Sequence, residues 1–176
     1  MERALSDARA LADNPSERIP LPKRIEILER TRLFVEKNYD RIVTDAATEG
    51  GKPLIDTRAE VTRAINGIKV AIESLSNLGG EEIPMGSNSA SLNRMAFTIR
   101  EPIGVVVAIS AFNHPFNLAV HQVIPAVAVG CPVIIKPALN TPLSCLNLLE
   151  ALYGSCLLYT SPSPRDRTRS RMPSSA

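Results

Sequence analysis

An asparagine and a lysine occupy the two places in this chain best suited to act on a bound molecule. Asn113 lies in a short polar turn, Ser110 to His114, between an apolar run and a helical pattern. A neutral amide at a helix entrance can donate to a developing oxyanion, and losing such a donor typically costs about 10²–10³ in rate. The same amide also suits a plain N-cap or turn. Lys136 closes the β-branched run Pro132 to Lys136. Its ammonium suits a ribose hydroxyl or a phosphate, and equally suits solvent. The other reactive side chains are less well placed. His114 shares the turn and His121 falls inside the helical pattern. Cys131 falls at the opposite end of the unit, Cys145 on a later helix and Cys156 near the C-terminus. None has a base at readable spacing, which argues against a thiol nucleophile among them. No carboxylate pair or metal cluster stands out, so no metal is expected. Neither GxGxxG nor the P-loop pattern is present.

The elements around these residues read as one βαβ unit. Gly104 to Ile109 is apolar without alternation, as expected of a parallel strand covered on both faces. Pro115 suits a first helical turn. Phe116, Ala119, Val120, Val123, Ile124, Val127 and Ala128 then form a single apolar stripe, which predicts a helix lying on the sheet. Pro125 interrupts that helix and predicts a bend. Gly130 ends it, and Val133 to Lys136 is the second strand, parallel to the first by the right-handed crossover rule. A further helix starts near Thr141-Pro142. In an open α/β sheet, ligands bind beyond the carboxyl ends of the strands, which is where Asn113 and Lys136 fall.

The preceding hundred or so residues read as support. Residues 2–13 predict a short helix ended by Asn14-Pro15. From Pro22 a single long amphipathic helix is expected, ending at Gly50-Gly51. A second follows from about Asp56 to Leu78. Two short extended runs, Glu82–Met85 and Met95–Arg100, flank a polar segment and predict a two-stranded hairpin or arm. Such a piece buries little by itself and needs a partner surface.

Composition narrows the function classes. The chain has 176 residues, 44% hydrophobic and 22% charged, which fits a globular domain with a real core. Net charge is +2; four Arg and one Asp from Gly154 onward carry +3, so residues 1–153 carry −1. That balance gives no reason to expect nucleic acid or a membrane surface as partner. No apolar run approaches the roughly 20 residues of a membrane span. Three unevenly spaced cysteines fit reduced thiols in a cytoplasmic setting better than a disulfide framework. The N-terminal residues lack the apolar core of a secretory signal.

Several separated segments resemble the aldehyde dehydrogenase superfamily. Thr48-Glu49-Gly50-Gly51-Lys52-Pro53 is similar to its EGGKP segment, and Arg100 to Val105 to its REPIGV lead into the cofactor domain. Ala111-Phe112-Asn113-His114-Pro115 fills its PWNFP slot; Pro125-Ala126, Gly130 and Val133 to Pro142 match the segments that follow. The similarity covers about residues 15–153, the first third or so of a full-length member. It implies an α/β fold made of the N-terminal portion of that fold: helices, an oligomerisation hairpin and the first βαβ of a Rossmann-like parallel sheet, incomplete. It implies oxidation of an aldehyde to a carboxylic acid with NAD or NADP, and a homo-oligomer, dimer or tetramer, for the full-length protein. In the family a Cys thiolate attacks the aldehyde, hydride passes to the nicotinamide, and a Glu-activated water releases the acid. By resemblance Asn113 helps hold the oxyanion, Lys136 bonds the adenosine ribose, and Ile109, Ser110, Ala111 and Phe112 line the cofactor cleft. Departures from the pattern are Ala111-Phe112 for Pro-Trp, His114 for Phe, and Leu139 where many NAD-preferring members carry a ribose-binding Glu.

The family's Cys, Glu and GSTxxG segments lie further along than this chain reaches, so the isolated polypeptide is expected not to turn over aldehyde. A CoA-acylating member is the alternative within the enzyme class. Residues 1–153 are expected to form a partial NAD(P)-binding domain. Residues 154–176, rich in Ser, Pro and Arg, are expected to be a disordered, non-native tail. Two readings from other classes compete: a non-catalytic cofactor-binding or interaction module, and a nucleic-acid binder acting through the Arg tail.

Overall fold

A computed structural model describes residues 2–155. The tail expectations beyond Ser155, and Cys156, lie outside the described residues. Four helices come first: α1 (Glu2–Asp13), α2 (Leu21–Lys37), α3 (Tyr39–Gly50) and α4 (Leu54–Ser74). A 3₁₀ turn at Leu75–Asn77 follows α4, and β1 (Glu82–Ile83) pairs antiparallel with β2 (Ala96–Phe97) as the expected hairpin. The βαβ unit is β3 (Val106–Ile109), α5 (Pro115–Val129) and β4 (Val133–Lys136), and α6 (Pro142–Gly154) ends the described chain. The two strands are parallel, with Val106 opposite Val133 and Ile109 opposite Lys136.

The long helix expected from Pro22 to Gly50 is two helices. Both the backbone N–H and the side-chain Nδ2 of Asn38 donate to the Phe34 carbonyl, at 3.0 and 2.8 Å. An Asn side chain that competes for the backbone in this way ends a helix. The backbone at Asn38 leaves helical geometry (φ −104, ψ 18), and α3 restarts at Tyr39. Gly51, at φ 61, closes α3 in the left-handed conformation.

The core forms where α2, α4, α5 and α6 meet. Ile27, Leu28, Val35, Ile68, Phe116, Ile124 and Leu148 are fully buried within it. Ala108 of β3 joins them, and Val133 and Ile135 of β4 pack against the cluster. The expectation that β3 is covered on both faces fails. Val107 and Ile109 are 57% and 63% exposed, whereas Ala108 between them is buried. Side chains alternate along a strand, so one face rests on the helices and the other is open among the described residues. The apolar run suits a strand between two layers, and the described residues supply one of them. At the far end of α6, Ser155 is buried and accepts from Thr31 Oγ1 at 3.2 Å. Packing therefore continues two residues past Tyr153.

The C-terminus of α5 is held from α2. Arg24 Nη1 donates to the Ala128 carbonyl, which places a cation on the negative end of the helix dipole. Burial pulls this guanidinium below its ordinary pKa, with Cys131 opposing. Gly130 ends α5 at φ +86, and a Cβ there would meet Arg24 Nη1 at 3.2 Å. Gly130→Ala is thus expected to lower stability by about 1–2 kcal/mol for the left-handed backbone. A urea midpoint equal to that of the unsubstituted chain would contradict this.

Candidate functional site

The candidate residues converge at the carboxyl ends of β3 and β4. Register alone brings Ile109 beside Lys136. The Ser110 N–H then donates to the Lys136 carbonyl at 3.0 Å, which ties the two strand ends together. Ser110 is buried, while Ile109, Phe112 and Asn113 are exposed and Ala111 is partly covered. Gln122 of α5 reaches back to the Ile109 carbonyl at 3.0 Å. Lys136 Nζ bonds to the neighbouring Pro137 carbonyl at 3.3 Å and stands at the surface. All six residues singled out in the sequence therefore lie along one rim: an apolar wall from Ile109 and Phe112, an ammonium from Lys136, and the Asn113 amide at the turn.

The turn itself is built by residues that the sequence reading passed over. Glu60, on α4, has a fully buried side chain. Its Oε1 accepts the Phe116 and Asn117 N–H groups at 2.9 and 3.0 Å. These are orphan donors of the first turn of α5, and a carboxylate at this end also suits the helix dipole. Glu60 Oε2 faces Lys52 Nζ at 2.5 Å, and that side chain is 14% exposed. Lys52 Nζ also donates to the Asn113 carbonyl at 3.3 Å and lies 3.2 Å from His114 Nδ1. The Lys52 ammonium thus has two fixed acceptors, the Glu60 carboxylate and the Asn113 carbonyl, with the His114 ring beside them. His114 Nδ1 also lies 3.6 Å from Glu60 Oε2, so the ring closes the open side of the Lys52–Glu60 pair.

The start of α6 is closed in the same manner from α3. Glu49 accepts the Leu143 and Ser144 N–H groups at 2.7 and 2.8 Å. The Ser144 hydroxyl donates to the same carboxylate. Thr141, at the usual capping position, makes no cap bond, because Glu49 already holds these N–H groups. Both helix N-termini at the strand-end surface are thus occupied by the chain's own carboxylates, and neither presents free N–H groups to an anion.

The remaining candidates lie apart from the rim's solvent side. Cys145 is fully buried on α6. Burial pushes its thiol above the ordinary range; a hydrogen bond with Ser110 opposes this and the Glu49 carboxylate adds to it. Cys131 is buried at the start of β4's side of the unit. His121 borders an apolar groove between α4 and α5, away from the turn. Among the described residues no group of three or more His, Cys, Asp or Glu is placed to hold a metal.

Two signals for the missed residues were present. Glu60 falls three residues after Thr57 and four before Ala64, in line with the buried stripe of α4. Lys52 belongs to the EGGKP segment, which served only as a landmark.

Comparison with known proteins agrees with this architecture. The profile described as the aldehyde dehydrogenase family matches residues 1–155, further toward the N-terminus than the quoted motifs. A 3-sulfolactaldehyde dehydrogenase of Priestia megaterium is 38% identical over 130 residues, 74% of this chain and 27% of that protein. The crystal structure of aldehyde dehydrogenase 21 from Physcomitrella patens, in complex with the reaction product succinate, superposes with a TM-score of 0.80 at 36% identity. It covers 86% of this chain and 31% of that one. A glyceraldehyde-3-phosphate dehydrogenase from Methanocaldococcus jannaschii, complexed with NADP, gives a TM-score of 0.81 at 30% identity, over 92% of this chain and 34% of its own. The chain thus spans about a third of the length of such relatives, from 27% to 34%. A family profile over all of the described residues, together with the fold and the motifs, establishes that the chain belongs to the aldehyde dehydrogenase family.

Proposed function

We propose that this segment serves an oxidoreductase that converts an aldehyde to a carboxylic acid with NAD or NADP. The observation that carries the reading is the shared rim: Asn113, in the turn after β3, and Lys136, the last residue of β4, lie at the same end of the paired strands. In this reading Asn113 donates to the oxygen on which charge develops, and Lys136 bonds the adenosine ribose. Ile109, Ser110, Ala111 and Phe112 form the cleft wall.

The residues present fit the nucleoside part of such a cofactor: an exposed apolar wall beside an exposed ammonium. They do not offer a helix N-terminus for its pyrophosphate, because Glu60 and Glu49 close both. When bound, the cofactor accepts hydride. Leu139, highly exposed after β4, presents no carboxylate against a 2′-phosphate, so the reading admits NADP as well as NAD. The β1–β2 hairpin, with Met95 and Phe97 exposed, is read as the arm through which copies associate into a homo-oligomer. The free thiols Cys131 and Cys145 support a reducing, cytoplasmic setting.

The test joins residues 1–155 to the rest of a relative's chain. Aldehyde-dependent reduction of NAD or NADP is expected. Asn113→Ala in that protein is expected to lower kcat by about 10²–10³ with cofactor affinity retained. Unchanged kcat would remove Asn113 from the oxyanion role, and absence of turnover with any short aldehyde would sink the reading as a whole.

A further inference from the structure

We propose that Lys52 and Glu60 are positioning residues for Asn113: the buried pair fixes the backbone of the turn and so aims the amide. The inference rests on the reading of Asn113 as the oxyanion donor. Its geometry stands independently of that reading.

An oxyanion donor works only if it is already aimed when charge develops. The Asn113 side chain is exposed at the rim, so its direction depends on the backbone beneath it. That backbone is held at two points. On one side the Asn113 carbonyl accepts from Lys52 Nζ at 3.3 Å. On the other, the N–H groups of Phe116 and Asn117 end on Glu60 Oε1. The two anchors are one unit, because Lys52 and Glu60 are themselves in contact at 2.5 Å with little or no exposure. His114, next in the chain, places its Nδ1 3.2 Å from the same Lys52 Nζ. The turn from Asn113 to Asn117 is therefore clamped to α4 and to the loop before it. A charge-assisted network of this kind is stiffer than neutral bonds at the surface. Hydrophobic packing alone leaves the Asn113 carbonyl unheld, since Asn113 stands outside the core cluster.

The two anchors are separable by substitution. Lys52→Met removes the hold on Asn113 but leaves Glu60 accepting from α5. Glu60→Gln weakens the helix anchor and takes away the counter-charge of Lys52. Val35→Ala, in the core on α2, serves as a control for stability loss without a change at the turn.

The experiment is NMR relaxation and amide exchange on the isotope-labelled 176-residue chain. In the unsubstituted chain the Asn113 backbone amide is expected to have an order parameter near the rigid value of about 0.85. In Lys52→Met it falls below about 0.6, while the Phe116 and Asn117 amides keep their protection. In Glu60→Gln the Asn113 order falls as well, and those two amides, now held by a neutral acceptor, lose only part of their protection. Val35→Ala lowers global stability and leaves the Asn113 order where it was. Equal order at Asn113 in the unsubstituted and Lys52→Met chains overturns the proposal, as does an equal loss in Val35→Ala. Should Lys52→Met fail to fold, the unsubstituted chain still decides. Cross-peaks between the Lys52 ammonium protons and the His114 ring support the clamp, and their absence at low temperature overturns it. None of these readouts involves a substrate. A rigid Asn113 in a joined enzyme whose kcat ignores Asn113→Ala would refute the oxyanion role and leave the clamp intact.

Discussion

Glu60→Ala is expected to destabilise the chain by about 3–5 kcal/mol. Three groups depend on this carboxylate. The Phe116 and Asn117 N–H groups lose their acceptor, and Lys52, 14% exposed, loses its counter-ion. Removing one member of a buried pair leaves the other charge desolvated and uncompensated, and this is the main source of the loss. The two orphaned amides add to it, because buried donors without acceptors are costly. Folded domains are held by about 5–15 kcal/mol, so the variant sits close to the limit. Glu60→Gln retains an acceptor oxygen for α5 and is expected to lose less. Urea unfolding of the two variants measures both. A shift of under about 1 kcal/mol in Glu60→Ala would mean that water replaces the carboxylate freely, and the network would then have no structural weight.

Phe116→Ala is expected to cost about 3–5 kcal/mol, the range for emptying an aromatic site in a packed core. Phe116 is among the largest fully buried side chains, and it sits in the first turn of α5. Its ring belongs to the cluster that joins α5 to the helical layer. Its own N–H is one of the two that Glu60 holds. The two substitutions therefore act on one joint, and their effects are not independent. Residues in direct contact show interaction energies of about 0.5–3 kcal/mol in double-mutant cycles. The Glu60→Ala, Phe116→Ala double variant should thus lose less than the sum of the singles. Strict additivity within about 0.3 kcal/mol would show that packing and capping at this joint are separate.

The βαβ unit was legible because its signals are local. Pro115 at the start of α5, Gly130 at its end and the β-branched run at Val133 each act within one turn of chain. The convergence of Asn113 and Lys136 followed from topology, since parallel strands bring their carboxyl ends to one side. The break at Asn38 was not legible. The apolar stripe continues on both sides of it, and a single side chain that competes for the Phe34 carbonyl leaves the periodicity unchanged. Glu60 was hidden for a different reason. A carboxylate on an amphipathic helix reads as solvated, and what buries this one is the start of α5, which comes 56 residues later in the chain. The exposed face of β3 shows a third limit. An apolar run reports that a strand suits two covering layers, and whether both are present depends on chain beyond the strand.

The two acidic caps also bear on how such a chain can be cut and recombined. The strand–helix unit that begins near Val106 looks like a portable module, with its own sheet and its own candidate rim. Yet the opening turns of α5 and α6 are finished by Glu60 and Glu49, which belong to the helical layer before it. A cut near Ile103 would separate both helices from their caps. The rim and the helical layer are thus inherited together, and a successful exchange between relatives must take its crossover upstream of Glu49.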